Sequence, residues 1–130
     1  MIQLASNTRV LSAALDDEMP VTPSLVLRFE DGSVARIESG QALLLDGDGQ
    51  RVGRYTADGG LHGDWSDLVG APVEAIRATP EGCLIVSCQD ASVEADPDPR
   101  YEAWTYVRES REMAIARPGG GIALWGYPQE

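Results

Sequence analysis

Short apolar runs, each stopped by a polar turn rich in Gly, Asp or Pro, recur along most of this chain, and no other feature constrains its fold as strongly. "LVLRF" at 25–29 meets Asp31 and Gly32 and is answered by "SVARI" at 33–37. "ALLL" at 42–45 enters "DGDG" at 46–49, and "RVGRYT" at 51–56 returns. "VEAIRA" at 73–78 turns at "PEG" into "CLIVSC" at 83–88, which a short link joins to "SVEA" at 92–95. "YEAWTYV" at 101–107, "EMAIA" at 112–116 and "GIALWG" at 121–126 complete the series. Runs of this length bounded by such residues read as strands joined by hairpins. Asp-Gly accepts the positive φ of a two-residue turn, so Phe29 and Val34 are expected to face each other across one.

The two halves of the chain can be laid on one another. "LVLRFEDGSVARI" at 25–37 matches "LIVSCQDASVEAD" at 84–96, with Asp31 over Asp90, Ser33 over Ser92 and Val34 over Val93. Cys88 then stands to Val93 as Phe29 does to Val34. A duplicated β-unit, spanning 8–56 and 66–126 of a single domain 1–130, accounts for this better than two similar hairpins arising by chance. Near the N-terminus, Val10, Leu11, Ala14 and Leu15 suit an amphipathic helix, whereas Val10, Ser12 and Ala14 suit a strand. The match with 73–78 favours the strand. One helical turn is expected in "DWSDLVG", where Asp64 can cap the start and Gly70 the end. The expected fold is therefore all-β: a duplicated β-meander forming a sandwich or partly closed barrel, with at most one short helix.

Charge narrows the range of partners. With 21 acidic residues against 10 arginines, no lysine and a net charge of −11, nucleic acid and anionic membrane would both be repelled. A basic protein surface would be attracted. The absence of lysine excludes Schiff-base catalysis and a phosphate-binding lysine. Cys83 and Cys88, if on one strand, are about 16 Å apart at roughly 3.3 Å per residue and face opposite ways, too far for a disulfide. Unbridged thiols, an N-terminus without a secretory pattern and the absence of a long apolar run lead to the expectation of a cytosolic protein.

Few residues suggest chemistry. "PGGG" at 118–121 precedes a strand and lacks a following lysine, so it reads as a turn instead of a phosphate loop. "DGDG" begins like a calcium loop, but Gln50, Arg51 and Ala57 stand where further oxygen ligands would be needed. His62, the only histidine, has no partner at metal-ligand spacing. No nucleophile elbow is present. The expectation is a non-enzyme without metal or cofactor. In "YEAWTYV", Glu102, Trp104 and Tyr106 share one face and Tyr101, Ala103 and Val107 the other, as suits an inner strand packed on both sides.

The landmarks "LVGAPVEAI", "GCLIVSCQD", "DPRYEAWTYV" and "RPGGGIALWG" carry a resemblance. Leu68, Gly70 and Val73, then Asp90, then Tyr101, Glu102 and Trp104, then the stretch from Gly120 to Trp125, resemble a family of small, uncharacterised, mostly actinobacterial domains. Members of that kind often look like immunity proteins encoded beside secreted toxins. The resemblance implies a protein-binding inhibitor of a basic toxin, with acidic loops as its contact surface: Asp16, Asp17 and Glu18; Asp46 and Asp48; Asp96 and Asp98. The alternatives are a small-molecule pocket between the halves, near Trp65, Glu102 and Trp104, and a structural subunit.

Overall fold

The computed structural model describes residues 1–16 and 23–127. It contains β1 (Ile2–Asp16), β2 (Ser24–Phe29), β3 (Val34–Ile37), β4 (Gln41–Asp46), β5 (Arg51–Thr56), β6 (Gly60–Gly63), a 3-10 turn (Ser66–Leu68), β7 (Pro72–Ala78), β8 (Leu84–Cys88), β9 (Ala91–Ala95), β10 (Trp104–Val107), β11 (Met113–Ala116) and β12 (Ile122–Trp125). The strands form one open antiparallel sheet in the order β12-β11-β10-β3-β2-β1-β7-β8-β9-β4-β5-β6. Adding six to each of β1 to β6 exchanges one half of that order with the other. Each half holds the first three strands of one chain segment and the last three of the other. The N-terminal region is strand, not helix.

β1 makes one sheet of the two halves. Its first residues pair with β7, from Ile2↔Ala78 to Arg9↔Pro72, and its later ones with β2, from Val10↔Phe29 to Asp16↔Ser24. The register shifts between Val10 and Ser12, and the unpaired Leu11 is 53% exposed beside a fully buried Val10. A bulge of this kind bends and twists a strand, here at the point where β1 changes partner.

The halves bury one core, with Leu25, Leu27, Ile37, Trp104 and Tyr106 from one and Leu44, Tyr55, Ile76, Leu84 and Val93 from the other. One indole and one phenol within it are matched across the core. Trp104 Nε1 donates to the Gly82 carbonyl at 2.9 Å and Tyr55 Oη to the Pro23 carbonyl at 2.8 Å. Such partners are what lets a Trp or Tyr be buried without a desolvation penalty.

The two matched hairpins differ from those expected, one in loop length and the other in register. Phe29 N–H donates to Ser33 O and Gly32 N–H to Phe29 O, at 3.0 Å each, which makes a three-residue loop with Gly32 at φ +87°. Val34 consequently pairs with Arg28, not Phe29. On β8 and β9 the link has two residues, Gln89 and Asp90, and Val93 pairs with Val86, not Cys88. The matched segments thus occupy equivalent strands but differ in loop length. "YEAWTYV" is likewise shorter as a strand than expected, because Asp98 Oδ1 accepts from the N–H groups of Arg100 and Tyr101 and holds that stretch in a loop. β10 begins only at Trp104.

Candidate functional site

The strand order brings three separate turns to one end of the β4–β9 pair. Asp46, the last residue of β4, lies opposite Ala91 of β9. Its carboxylate is set by its own hairpin, with Oδ1 accepting from Asp48 N and Gln50 N at 2.9 Å each. The β4–β5 turn packs over the β8–β9 link, where a Cβ on Gly47 would stand 3.6 Å from the Asp90 carbonyl oxygen. The 3-10 turn forms the third wall. It is tied to β1 by Gly70 N→Val10 O at 2.7 Å and Val10 N→Ala71 O at 3.1 Å, and Trp65 anchors it in the core with its indole N–H on the His62 carbonyl at 2.9 Å.

Two adjoining hollows lie between these walls. One, of about 240 Å³, is lined by Asp46, Asp64, Asp67 and Asp90 over Leu44, Leu45, Val52 and Leu68. The other, of about 430 Å³, shares Asp67 and Asp90 and is bordered by Val69, Ala71 and Pro72. Val52 and Val69 are nearly half exposed at the rim, at 46% and 48%. Among the described residues none of the four aspartates forms an ion pair. Ser66 donates both its side-chain O–H and its backbone N–H to Asp64, and these bonds hold that carboxyl below the usual range. Among the described residues no group of His, Cys, Asp and Glu is disposed to hold a metal ion. What the arrangement can do is accept cationic groups around an apolar floor, an arrangement that selects arginine or lysine tips together with their aliphatic stems.

The acidic residues singled out in the sequence do not converge. Asp46 lines the cleft and Asp48 stands exposed at the tip of the same hairpin. Asp96 is at the other end of β4, where it accepts from Gln41 Nε2 at 3.1 Å. Asp98 is occupied in capping its own loop. Asp16 is ion-paired with Arg36 at 2.9 Å in the other half of the sheet. Asp17 and Glu18 lie outside the described residues. Asp64, Asp67 and Asp90 are the cleft residues that sequence reasoning missed. Their approach depends on β9 lying beside β4, a contact between residues about fifty apart in the chain that no local pattern reports. Trp65 and Trp104 are both buried core residues with bonded indoles, and Glu102 is exposed in the loop before β10.

Fold and cleft together define a small antiparallel β-protein with an acid-rimmed surface groove. The chain belongs to a family of unknown function, DUF6188, whose family model matches residues 11–126. No curated protein sequence and no solved structure matches the chain.

Proposed function

We propose that this domain is a non-catalytic binding module for a basic protein surface, and that it acts as an immunity-type inhibitor of a basic toxin. One observation carries the reading: four aspartates without ion pairs among the described residues line a groove with an apolar floor, and two exposed valines border it and the adjoining hollow. Net charge supplies the long-range part, since −11 on a chain of this size speeds encounter with a cationic partner. The groove supplies the short-range part, because a cation that enters it trades water for carboxylates over a surface of low dielectric. An inhibitor of this kind acts by occlusion and requires no nucleophile or proton shuttle. The small-molecule alternative near Trp65 and Trp104 has less support, because both indoles are engaged with backbone carbonyls inside the core.

The test uses Asp67 and Asp90, whose carboxylates make no hydrogen bond among the described residues, so that their replacement leaves the turns intact. Hexa-arginine is titrated into labelled protein while backbone amide shifts are followed, at low and at physiological salt. The expected result is a set of shifts centred on 46, 64, 67 and 90. Affinity should fall with salt and drop about tenfold in the Asp67→Asn/Asp90→Asn double variant, at roughly 0.5–1 kcal/mol per exposed charge contact. Shifts spread evenly over all acidic loops, or unchanged binding in the variant, would overturn the reading.

A further inference from the structure

A hollow of opposite charge adjoins the acidic groove at Val52. About 250 Å³ in size, it is lined by Arg51, Val52, Gly53, Arg54, His62 and Gly63, and Val52 also lines the groove. That valine is the extra residue of a bulge: Leu45 pairs with Arg51 and Leu44 with Gly53, so Val52 is left between them. A bulge re-aims a side chain, and Val52 is 46% exposed between an anionic and a cationic hollow.

The pairing of β5 with β6 builds the cationic side. Arg54 stands directly opposite His62, and Gly53 opposite Gly63. Directly opposite residues share a face, so the guanidinium and the imidazole are neighbours, and His62 Nε2 donates to the Gly59 carbonyl at 2.8 Å, which fixes the ring. Gly63 lets β6 approach closely, since a Cβ there would clash with the Val52 carbonyl oxygen. The Gly53–Gly63 pair also puts no side chain between the arginines. Among the described residues the ion pairs are Arg9–Glu30 and Arg36–Asp16, so Arg51 and Arg54 form none. Carboxylates are nevertheless close along the strands: Asp46 follows the Leu45 that pairs with Arg51, and Asp64 follows Gly63. These steps separate the two sets of charges by roughly 5–10 Å of backbone, one to two strand spacings.

We propose that this hollow takes a carboxylate of the same basic partner whose cations enter the groove, a step that rests on the function proposed for the groove. The partner's contact segment then carries a Glu or Asp within one or two residues of its Arg or Lys. A free anion is the weaker occupant, because it meets the field of a chain at −11 and the aspartates beside the hollow. A carboxylate on a partner already held by its cations needs no second encounter, since tethering raises its effective concentration. Two guanidinium groups then offer it charge-assisted hydrogen bonds. The hollow also supplies discrimination. A uniformly basic surface would set its own cations against Arg51 and Arg54, so a surface of mixed charge is favoured over a purely basic one.

Two capped peptides test this by amide-shift titration into labelled protein: Gly-Arg-Gly-Glu-Gly-Arg-Gly, and the same peptide with Gln in place of Glu. Attraction to net charge alone makes the Glu peptide, which is less positive, the weaker binder. The proposal predicts the opposite order, with the Glu peptide about threefold tighter and shifts at 51, 54 and 62 as well as at 46, 64, 67 and 90. In Arg51→Gln/Arg54→Gln the order should reverse, while hexa-arginine should bind at least as tightly as to wild type. A Glu peptide that binds wild type more weakly overturns the proposal, as does an order that the double variant leaves unchanged. Either result leaves the function proposed for the groove standing, provided hexa-arginine still shifts the groove residues. Inorganic phosphate that shifts 51, 54 and 62 at lower concentration than the Glu peptide also overturns it and makes the hollow a free-anion site. If neither the peptides nor hexa-arginine shift the groove residues, the function proposed for the groove fails and this proposal fails with it.

Discussion

At the scale of single residues, one loop geometry recurs. The same pair of backbone hydrogen bonds closes three-residue loops after Phe29, Asp46, Thr79, Arg108 and Arg117. In each the third loop residue is left-handed: Gly32, Gly49, Gly82, Arg111 and Gly120. Glycine takes that conformation without steric penalty, whereas a residue with a Cβ does not. Arg111, at φ +79°, is the exception. Arg111→Gly should therefore stabilise the domain by about 0.5–1 kcal/mol, the relief of left-handed strain being partly offset by the greater freedom of glycine in the unfolded chain. Urea denaturation with an unchanged slope and a higher midpoint would bear this out; an unchanged or lower midpoint would refute it. The converse holds at Gly32, where a Cβ would also meet the Glu109 carboxylate at 2.6 Å. The glycines announced these turns in the sequence. Loop length was not legible, because Asp-Gly serves a two-residue turn and the last two places of a three-residue loop equally well.

At the scale of elements, β1 decides the architecture, and its pattern was the hardest to read. Val10, Leu11, Ala14 and Leu15 form a helical stripe on paper because a bulge sets an extra apolar residue beside a core one. The strand predicts opposite behaviour at neighbouring positions. Val10→Ala should cost about 2 kcal/mol through lost burial and the cavity left behind, while Leu11→Ser should stay within about 0.5 kcal/mol of wild type. Thermal or urea unfolding of the two variants measures this directly, and equal losses would contradict the bulge. Strand existence was legible nearly everywhere, since alternation and turn residues are local. Strand order was not. The first-half strands β1 to β3 sit beside β10 to β12, and β4 to β6 beside β7 to β9. That exchange is why Asp46 could be picked out as an acidic turn residue while its neighbours Asp64, Asp67 and Asp90 could not be gathered around it.

At the scale of the whole molecule, the ionisable groups held by the fold are mostly ones that must remain protonated. Burial raises Tyr106 to about 12 and Cys88 to about 11, and it also raises Tyr55, Tyr127 and Cys83. Tyr106 Oη is fully enclosed, and the nearby Ser33 hydroxyl offsets only part of the upward shift that burial causes. A group whose folded pKa lies above its unfolded value stabilises the fold below the unfolded value, and that stability is lost as pH rises towards the folded one. The window therefore opens above about pH 8.5 for the thiols and about pH 10 for the phenols. Each group contributes up to about 1.4 kcal/mol per pH unit within it. Deprotonation also adds negative charge to a chain already at −11, so self-repulsion acts in the same direction. On the acid side, the carboxyls of Asp64 and Glu112 are lowered by hydrogen bonds from Ser66 and Ser110, with Asp64 exposed and Glu112 partly exposed at the surface. Their loss on protonation is correspondingly small, and neutralising other carboxylates relieves repulsion. The urea midpoint should stay nearly level from about pH 8 down to about pH 5 and fall steeply above about pH 10. Tyrosinate absorbance should rise together with the loss of β-sheet circular dichroism, because three of the four phenols ionise only as the core opens. Tyrosinate formation complete before any loss of sheet signal would show that these rings are not held in the core as described.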